Sequence, residues 1–346
     1  MEKTHLEIIV VGAGPAGVTC SSLLQRSGKE CLLIDKAEFP RNKVCGGGLT
    51  PKAHILLSRI YPTLKYDYYK VNSIYTYFNR KYICNFSLDT EIRTVVRQDF
   101  DHLLLKEYKQ LGGLFLTDKL LKVEEKDKKV VVVLKSGRVL SCNYLIGADG
   151  ANSIVRKCLQ PGFSSGQVWM EKTSIDKSQD KMIVHFDKRI PEGYSYVFPN
   201  TRGHIVGYGE KHSGHEKFGQ LLKEQGLEGS EKTKGAYIPM FDKLDYPFRE
   251  SIILIGDAGG YADSMTGEGL YYALRSGENA ALAILSGQDF KVQNSDIITL
   301  INKRRRMARL FYWYPINKLF MYMCTRPFLF SRINKRVNKE LTPKCE

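Results

Sequence analysis

The sequence predicts an α/β architecture made of a Rossmann-type domain, an inserted antiparallel-sheet lobe and a C-terminal helical tail. Three observations carry the prediction. Residues Glu7 to Lys36, EIIVVGAGPAGVTCSSLLQRSGKECLLIDK, read as a strand, a tight glycine turn, a helix and a second strand ending at Asp35. Two later apolar strands, Asn143 to Ile146 and Ile252 to Ile255, run into Gly147-Ala148-Asp149-Gly150 and Gly256-Asp257-Ala258-Gly259-Gly260, returning the chain to the first fold. Between them, from Gly166 to about Tyr246, alternating runs dominate.

Each glycine of the opening turn has its own physical reason. Gly12 permits the sharp exit from the strand, Gly14 lets backbone approach a pyrophosphate, and Gly17 lets the helix pack closely on the sheet. Phosphates are favoured at the helix N-terminus by its unpaired N–H groups and its dipole. Asp35, followed by Lys36, stands where a carboxylate accepts hydrogen bonds from a ribose, so this stretch is expected to bind a dinucleotide.

The loop from Lys36 to Pro51 contains Arg41-Asn42-Lys43-Val44-Cys45-Gly46-Gly47-Gly48. Three consecutive glycines exclude a stable helix or strand interior and let backbone lie flat against a planar group such as a flavin ring. Tyr61 to Phe86 reads as strands of a separate small sheet, and a helix begins near Arg97, with Asp99 or Asp101 near its N-terminus, and ends at Gly112-Gly113. Leu114 to Leu121 and Lys129 to Leu134 are predicted strands, the second joined to another at Gly137 as a β-meander.

In the inserted region, Met182 to Phe186, Gly193 to Pro199 and His204 to Tyr208 are expected as antiparallel strands, with a helix near Lys217 to Glu224. Tyr194, Tyr196 and Phe198 then share one strand face, opposite Ser195 and Val197. Gly267-Glu268-Gly269 opens a helix through Ala273 and Ala280, a second glycine-flanked N-terminus suited to an anionic ligand edge. Beyond Asn302 the chain reads as helical and basic, with Pro315 and Pro327 marking helix starts or kinks. The expected organisation is a discontinuous first domain (1–60, 95–165 and 247–290), a substrate lobe (61–94 and 166–246) and a basic tail (291–346).

The formal net charge is +15, but no nucleic-acid module accompanies it, so nucleic acid is not expected as a partner. Much of the excess lies in Lys303-Arg304-Arg305-Arg306 and the residues after it, interleaved with aromatics, a mixture suited to an anionic membrane surface. The eight cysteines (Cys20, Cys31, Cys45, Cys84, Cys142, Cys158, Cys324, Cys345) form no CxxC pair, which argues for reduced thiols and against zinc. His212 and His215 lack a third ligand, so no metal is expected. With neither a leader nor a spanning segment in the sequence, a cytoplasmic location is expected, peripheral at the inner face of the membrane if the tail docks there.

Four separated motifs resemble FAD enzymes of the p-hydroxybenzoate hydroxylase fold: Gly12-Ala13-Gly14-Pro15-Ala16-Gly17 with Asp35, the helix led by Arg97, Gly147 to Gly150, and Gly256 to Ala258. Within that group, Arg41 to Gly48 and Tyr194-Ser195-Tyr196-Val197-Phe198-Pro199 resemble the two signatures of geranylgeranyl reductases. The resemblance runs from about Glu7 to Gly287. It implies FAD contacts at Ala16, Asp35, Cys45, Gly46, Gly48, Arg97, Asp257, Gly269 and Leu270, with Leu121 at the adenine through its backbone, beside Asp149 and Gly267 in the returning segments. It also implies an apolar cavity lined by Tyr194, Tyr196 and Phe198, and a modulating catalytic role for Cys45. The family more often carries Trp where this chain has Tyr196, which implies a smaller and more polar wall.

The expected function is FAD-dependent reduction of a carbon–carbon double bond in an isoprenoid or other apolar lipid. NADPH, NADH or a redox protein would be the electron donor, because the sequence holds no second complete dinucleotide motif. A flavin monooxygenase or halogenase on the same fold, or a non-catalytic redox carrier, are the alternatives.

Overall fold

A computed structural model describes residues 4–126, 129–160, 168–175, 180–210, 215–224, 233–239, 249 and 251–342. The first third of the chain forms β1 (Thr4–Val11), α1 (Pro15–Arg26), β2 (Cys31–Asp35), β3 (Gly48–Leu49), α2 (Pro51–Ile60), β4 (Tyr69–Phe78), β5 (Lys81–Thr94) and α3 (Arg97–Gln110). There follow β6 (Leu114–Thr117), β7 (Leu120–Lys126), β8 (Lys129–Leu134), β9 (Val139–Gly147), α4 (Ile154–Leu159), β10 (Val168–Ile175), β11 (Met182–Phe186), β12 (Tyr194–Asn200) and β13 (Gly203–Glu210). The remainder is α5 (His215–Glu224), β14 (Lys234–Ile238), β15 (Ile252–Leu254), a 3₁₀ turn (Gly256–Gly259), α6 (Leu270–Ser286), α7 (Phe290–Gln293), α8 (Ser295–Tyr312), α9 (Tyr314–Cys324) and α10 (Pro327–Leu341).

The elements fall into two units, the first comprising Met1–Asn42, Gln98–Gly166 and Pro239–Arg304. Its sheet has the order β6-β2-β1-β9-β8-β7, with β15 beside β9. β1 pairs in parallel with both β2 and β9, so Ile8, Ile9 and Val10 are covered on every side and fully buried. β9 extends well beyond the predicted Asn143 to Ile146. Its first half pairs antiparallel with β8 and its second half pairs parallel with β15. That first half is the strand expected after the Gly137 turn, and within it Ser141 is buried and bonded to His5 Nδ1 at 3.1 Å.

The second unit comprises Lys43–Arg97, Gln167–Ile238 and Arg305–Glu346, and its sheet runs β14-β10-β13-β12-β11-β4-β5-β3. Pairing is antiparallel throughout except where β4 and β11 run parallel. α5 covers one face, with Phe218, Leu221 and Leu222 packed on Val197, Val206 and Tyr208. Gly48, expected only in a loop, forms a two-residue strand on Thr94.

The division differs from the expected domain boundaries at residues 43–60, which fall in the second unit, and in its treatment of the C-terminal helices. Residues 305–342 are built into the second unit rather than forming a separate tail. Phe320, Cys324, Phe330, Ile333 and Val337 pack with Cys84 and Phe86. Asn338 clamps the β5 edge, accepting from Asp89 N–H at 2.8 Å and donating to Ser87 C=O at 2.9 Å. The basic run Lys303 to Arg306 within α8 is likewise only half a surface feature. Arg304 pairs with buried Asp263 at 2.6 Å and Arg305 is buried, because a helical period turns these two side chains inward.

Candidate active site

In the first unit the glycine turn is dictated by backbone contacts. A Cβ on Gly12, at φ +108°, would lie 2.2 Å from Ala148 C=O, and one on Gly17 would lie 1.9 Å from Gly12 C=O. Gly14 is different. It has an ordinary extended conformation as the α1 N-cap, and a Cβ there would meet only the Arg41 guanidinium, at 3.6 Å. The face of Gly14 is therefore open except for a cation, beside the first-turn N–H groups of α1, an arrangement that fits a diphosphate.

Asp35 is buried, and its two carboxylate oxygens accept from Ala13 N–H at 2.7 Å and Ala37 N–H at 2.9 Å. It ties the glycine turn to the end of β2, and each oxygen retains a lone pair for a ribose hydroxyl. Lys36 is exposed. The side chain of Ala16 packs under Gly256, and its carbonyl is where a Cβ on Gly277 would lie, at 2.4 Å. α6 thus crosses α1 at a glycine, and the Ala16 backbone N–H, in the first turn of α1, has no intrahelical acceptor.

The returning segments hold one another. Asp149 Oδ2 accepts from Ile154 N–H at 2.6 Å at the start of α4, while its Oδ1 is buried without a hydrogen-bond partner among the described residues. Burial raises the Asp149 carboxyl above the usual carboxylate range, against hydrogen bonds that lower it. Buried Arg156 donates to Ala258 C=O at 2.8 Å and Gly259 C=O at 3.1 Å, fixing the turn that carries Asp257. The Asp257 carboxylate lies 3.6 Å from where a Gly269 Cβ would stand, at the N-terminus of α6, whose first residue Leu270 is buried. Gly267 has φ +67°, and its loop is fastened by Asp263, which accepts from Met265 N–H at 2.7 Å and from Arg304. The strand predicted from Leu114 to Leu121 is broken at Asp118, which turns the chain. Leu121 is the extra residue of a bulge between Leu120 and Lys122, with a half-exposed side chain.

In the second unit the glycine loop meets the aromatic strand. A Cβ on Gly46 would lie 2.7 Å from the Phe198 ring and 3.1 Å from the Tyr196 ring. Gly47, at φ +75°, pairs with Val95, and the Cys45 sulfur accepts the Gly47 N–H at 3.3 Å. Tyr194, Tyr196 and Phe198 do share a face, with ring centroids 6.2 and 4.6 Å apart in succession. Tyr196 lies across its neighbouring strand opposite Gly207, where a Cβ would stand 2.4 Å from its hydroxyl. That hydroxyl contacts Met170 Sδ at 3.5 Å, and burial pushes its pKa well up, so it stays protonated. Arg97 begins α3 and is buried.

The first unit thus brings together Gly12, Gly14, Ala16, Gly17, Asp35, Asp149, Asp257, Gly267, Gly269 and Leu270, and the second brings together Cys45, Gly46, Gly48, Tyr194, Tyr196 and Phe198. Arg41 was missed as a site residue. It pairs with Asp101, whose side chain is fully buried, at 3.3 Å, and its signal was its place at the head of the Cys45 motif. Arg156 and Gly207 left no signal, because their partners lie far along the chain. His212 lies outside the described residues, as does the side chain of His215.

The family model of the FAD binding domain matches residues 5–210. An uncharacterized protein of Methanosarcina barkeri is 32% identical over 330 residues, covering 91% of this chain and 83% of that one. A menaquinone reductase of Mycolicibacterium smegmatis is 28% identical, covering 82% and 78%. A geranylgeranyl diphosphate reductase of Rhodobacter capsulatus is also 28% identical, covering 81% and 75%. Among solved structures, a geranylgeranyl bacteriochlorophyll reductase-like protein of Thermoplasma acidophilum shares the fold, with TM-score 0.72 at 18% identity over 99% of this chain and 93% of that one. The chain belongs to the FAD binding domain family and is an FAD-dependent oxidoreductase of the geranylgeranyl reductase type.

Proposed function

We propose that this protein reduces carbon–carbon double bonds in the polyprenyl chain of a lipid. The observation that carries the reading is the aromatic wall of Tyr194, Tyr196 and Phe198, packed against the Cys45–Gly46 loop. The two kinds of relative support it, because geranylgeranyl diphosphate and menaquinone have a polyprenyl chain in common.

Bound FAD supplies the hydride chemistry, and the reduced double bond takes up one hydride and one proton. In this reading the α1 N-terminus with Gly12, Gly14, Ala16 and Gly17 holds the diphosphate, Arg41 and Arg97 offset its charge, and Asp35 binds the adenosine ribose. Leu121 meets the adenine through its bulged backbone. Asp149, Asp257 and the Gly267–Leu270 segment hold the ribityl side, with the α6 dipole favouring a negative ligand edge. Cys45, Gly46 and Gly48 offer flat backbone to the ring, and Cys45 modulates reduction through its place beside Tyr196. Lys36 is close in sequence to the ribose-binding carboxylate but contributes only charge.

The donor is a nicotinamide nucleotide or a redox protein binding transiently. The lipid is met at a membrane surface, with the enzyme peripheral on the cytoplasmic side. The FAD-loaded enzyme, reduced anaerobically with dithionite, is mixed with geranylgeranyl diphosphate or menaquinone, and products are read by mass spectrometry. A gain of two mass units per double bond with matching flavin reoxidation is expected. Reoxidation only on admitting O₂, with oxygen or halogen in the product, would replace the reductase reading.

A further inference from the structure

The C-terminal helices pack inward through a narrow stripe. On α9 that stripe is Asn317, Met321 and Cys324, spaced i, i+4 and i+7. The side of α9 turned away from it is not polar. Leu319 and Tyr322 are each 53% exposed there, and Leu310, Trp313 and Phe328, before and after α9, are 61–67% exposed. Trp313 is the α9 N-cap and accepts from Ile316 N–H, which keeps Leu310, Trp313 and Ile316 together at the turn between α8 and α9.

These apolar groups stand among cations. From Arg305 to the C-terminus the sequence has ten Lys and Arg against two Asp and Glu, a net +8 of the chain's +15. Arg306, Lys318, Arg326 and Arg332 are exposed, and the last two stack on exposed rings, Arg326 on Tyr322 at 4.6 Å and Arg332 on Phe328 at 4.5 Å. Amphipathic rings held beside guanidinium groups match the boundary between lipid head groups and acyl chains. Among the described residues no helix is long and apolar enough to cross a membrane, so the contact is with one leaflet.

We infer that the outer face of α9 with its flanking turns, Leu310 to Phe328, is a docking surface for an anionic lipid bilayer. The positive charge selects the anionic surface and the exposed side chains enter it. This gives residues to the membrane-surface part of the proposed function, and it holds whichever lipid is reduced.

The test uses the full-length FAD-loaded enzyme with vesicles of phosphatidylcholine alone or mixed equally with phosphatidylglycerol. Trp169→Phe leaves Trp313 as the one tryptophan, since the sequence has two. Sedimentation with the anionic vesicles at least tenfold above the neutral ones, reversed by salt, is expected, with a blue shift of Trp313 emission. Leu319→Ser with Phe328→Ser, or Lys318→Glu with Arg332→Glu, should each lower binding at least tenfold while FAD stoichiometry and turnover of detergent-dispersed substrate stay unchanged. Binding indifferent to lipid charge, unshifted Trp313 emission, or a dimer in sedimentation equilibrium lost with the same substitutions would overturn the inference. Failure of turnover on every polyprenyl substrate with vesicle binding intact would count against the reductase reading alone.

Discussion

Gly14→Val isolates ligand contact from folding. The backbone at Gly14 is extended, and the nearest atom to an added Cβ is an arginine terminus at 3.6 Å, so the variant should fold with the stability of the wild-type apoprotein. What it removes is the approach of a phosphate to the first-turn N–H groups of α1. Hydrogen bonds to a charged group are worth about 1.5–3 kcal/mol each. Losing two of them costs about 3–6 kcal/mol, or roughly 10²- to 10⁴-fold in FAD dissociation constant. Gly17→Ala is the contrasting control, because its Cβ would lie 1.9 Å from Gly12 C=O and must distort the turn itself. The assay pairs fluorescence titration of FAD with thermal unfolding of both apoproteins. Gly14→Val should give stable, colourless protein, and Gly17→Ala should give protein destabilised even without FAD. Stoichiometric FAD on Gly14→Val, or the same loss of apoprotein stability in both variants, would refute the reasoning.

Three further outcomes follow from the second unit. Gly207→Ala places a Cβ 2.4 Å from the Tyr196 hydroxyl and should impair prenyl turnover and stability, whereas in a Tyr196→Ala background it should cost little. A double-mutant cycle by urea unfolding should give a coupling of about 1 kcal/mol or more, and additivity would separate the two residues. Tyr196→Ala itself should lose about 3 kcal/mol or more and most turnover while retaining FAD. Burial lowers the His185 imidazole from 6.5 to about 4, opposed by Asp187. The unfolded chain therefore gains a proton that the folded one refuses, and stability should fall as pH drops from about 6.5 to 4, by up to about 3 kcal/mol. His185→Phe, which can keep the ring contact with Tyr77 at 4.8 Å, should flatten that part of the urea midpoint against pH; an unchanged profile would assign the loss to other groups.

The parts of this protein legible in its sequence are those in which one short stretch meets its own constraint. The turn from Gly12 to Gly17 is closed by contacts within a few residues and with one returning strand, and Asp35 reaches it from the end of the next strand, so spacing alone locates the pieces. Tyr194, Tyr196 and Phe198 announce a shared face because a strand alternates, wherever it lies in the sheet. What escaped reading depends on partners far along the chain. The parallel pairing of β4 with β11 joins residues more than a hundred positions apart, and nothing in either strand marks its direction. Arg156 fixes the Asp257 turn across a similar separation, and Asp263 turns Arg304 from an apparent surface cation into an internal tie.

The C-terminal helices show both sides of this. Their charge and aromatic content were readable, but which residues faced inward was not. Once Asn317, Met321 and Cys324 are seen to anchor α9, the exposed Leu319 and Tyr322 cease to be ordinary core residues of an amphipathic helix. That second apolar stripe, left exposed after the first is buried, and the surrounding cations, which match a negatively charged surface, together carry the docking proposal.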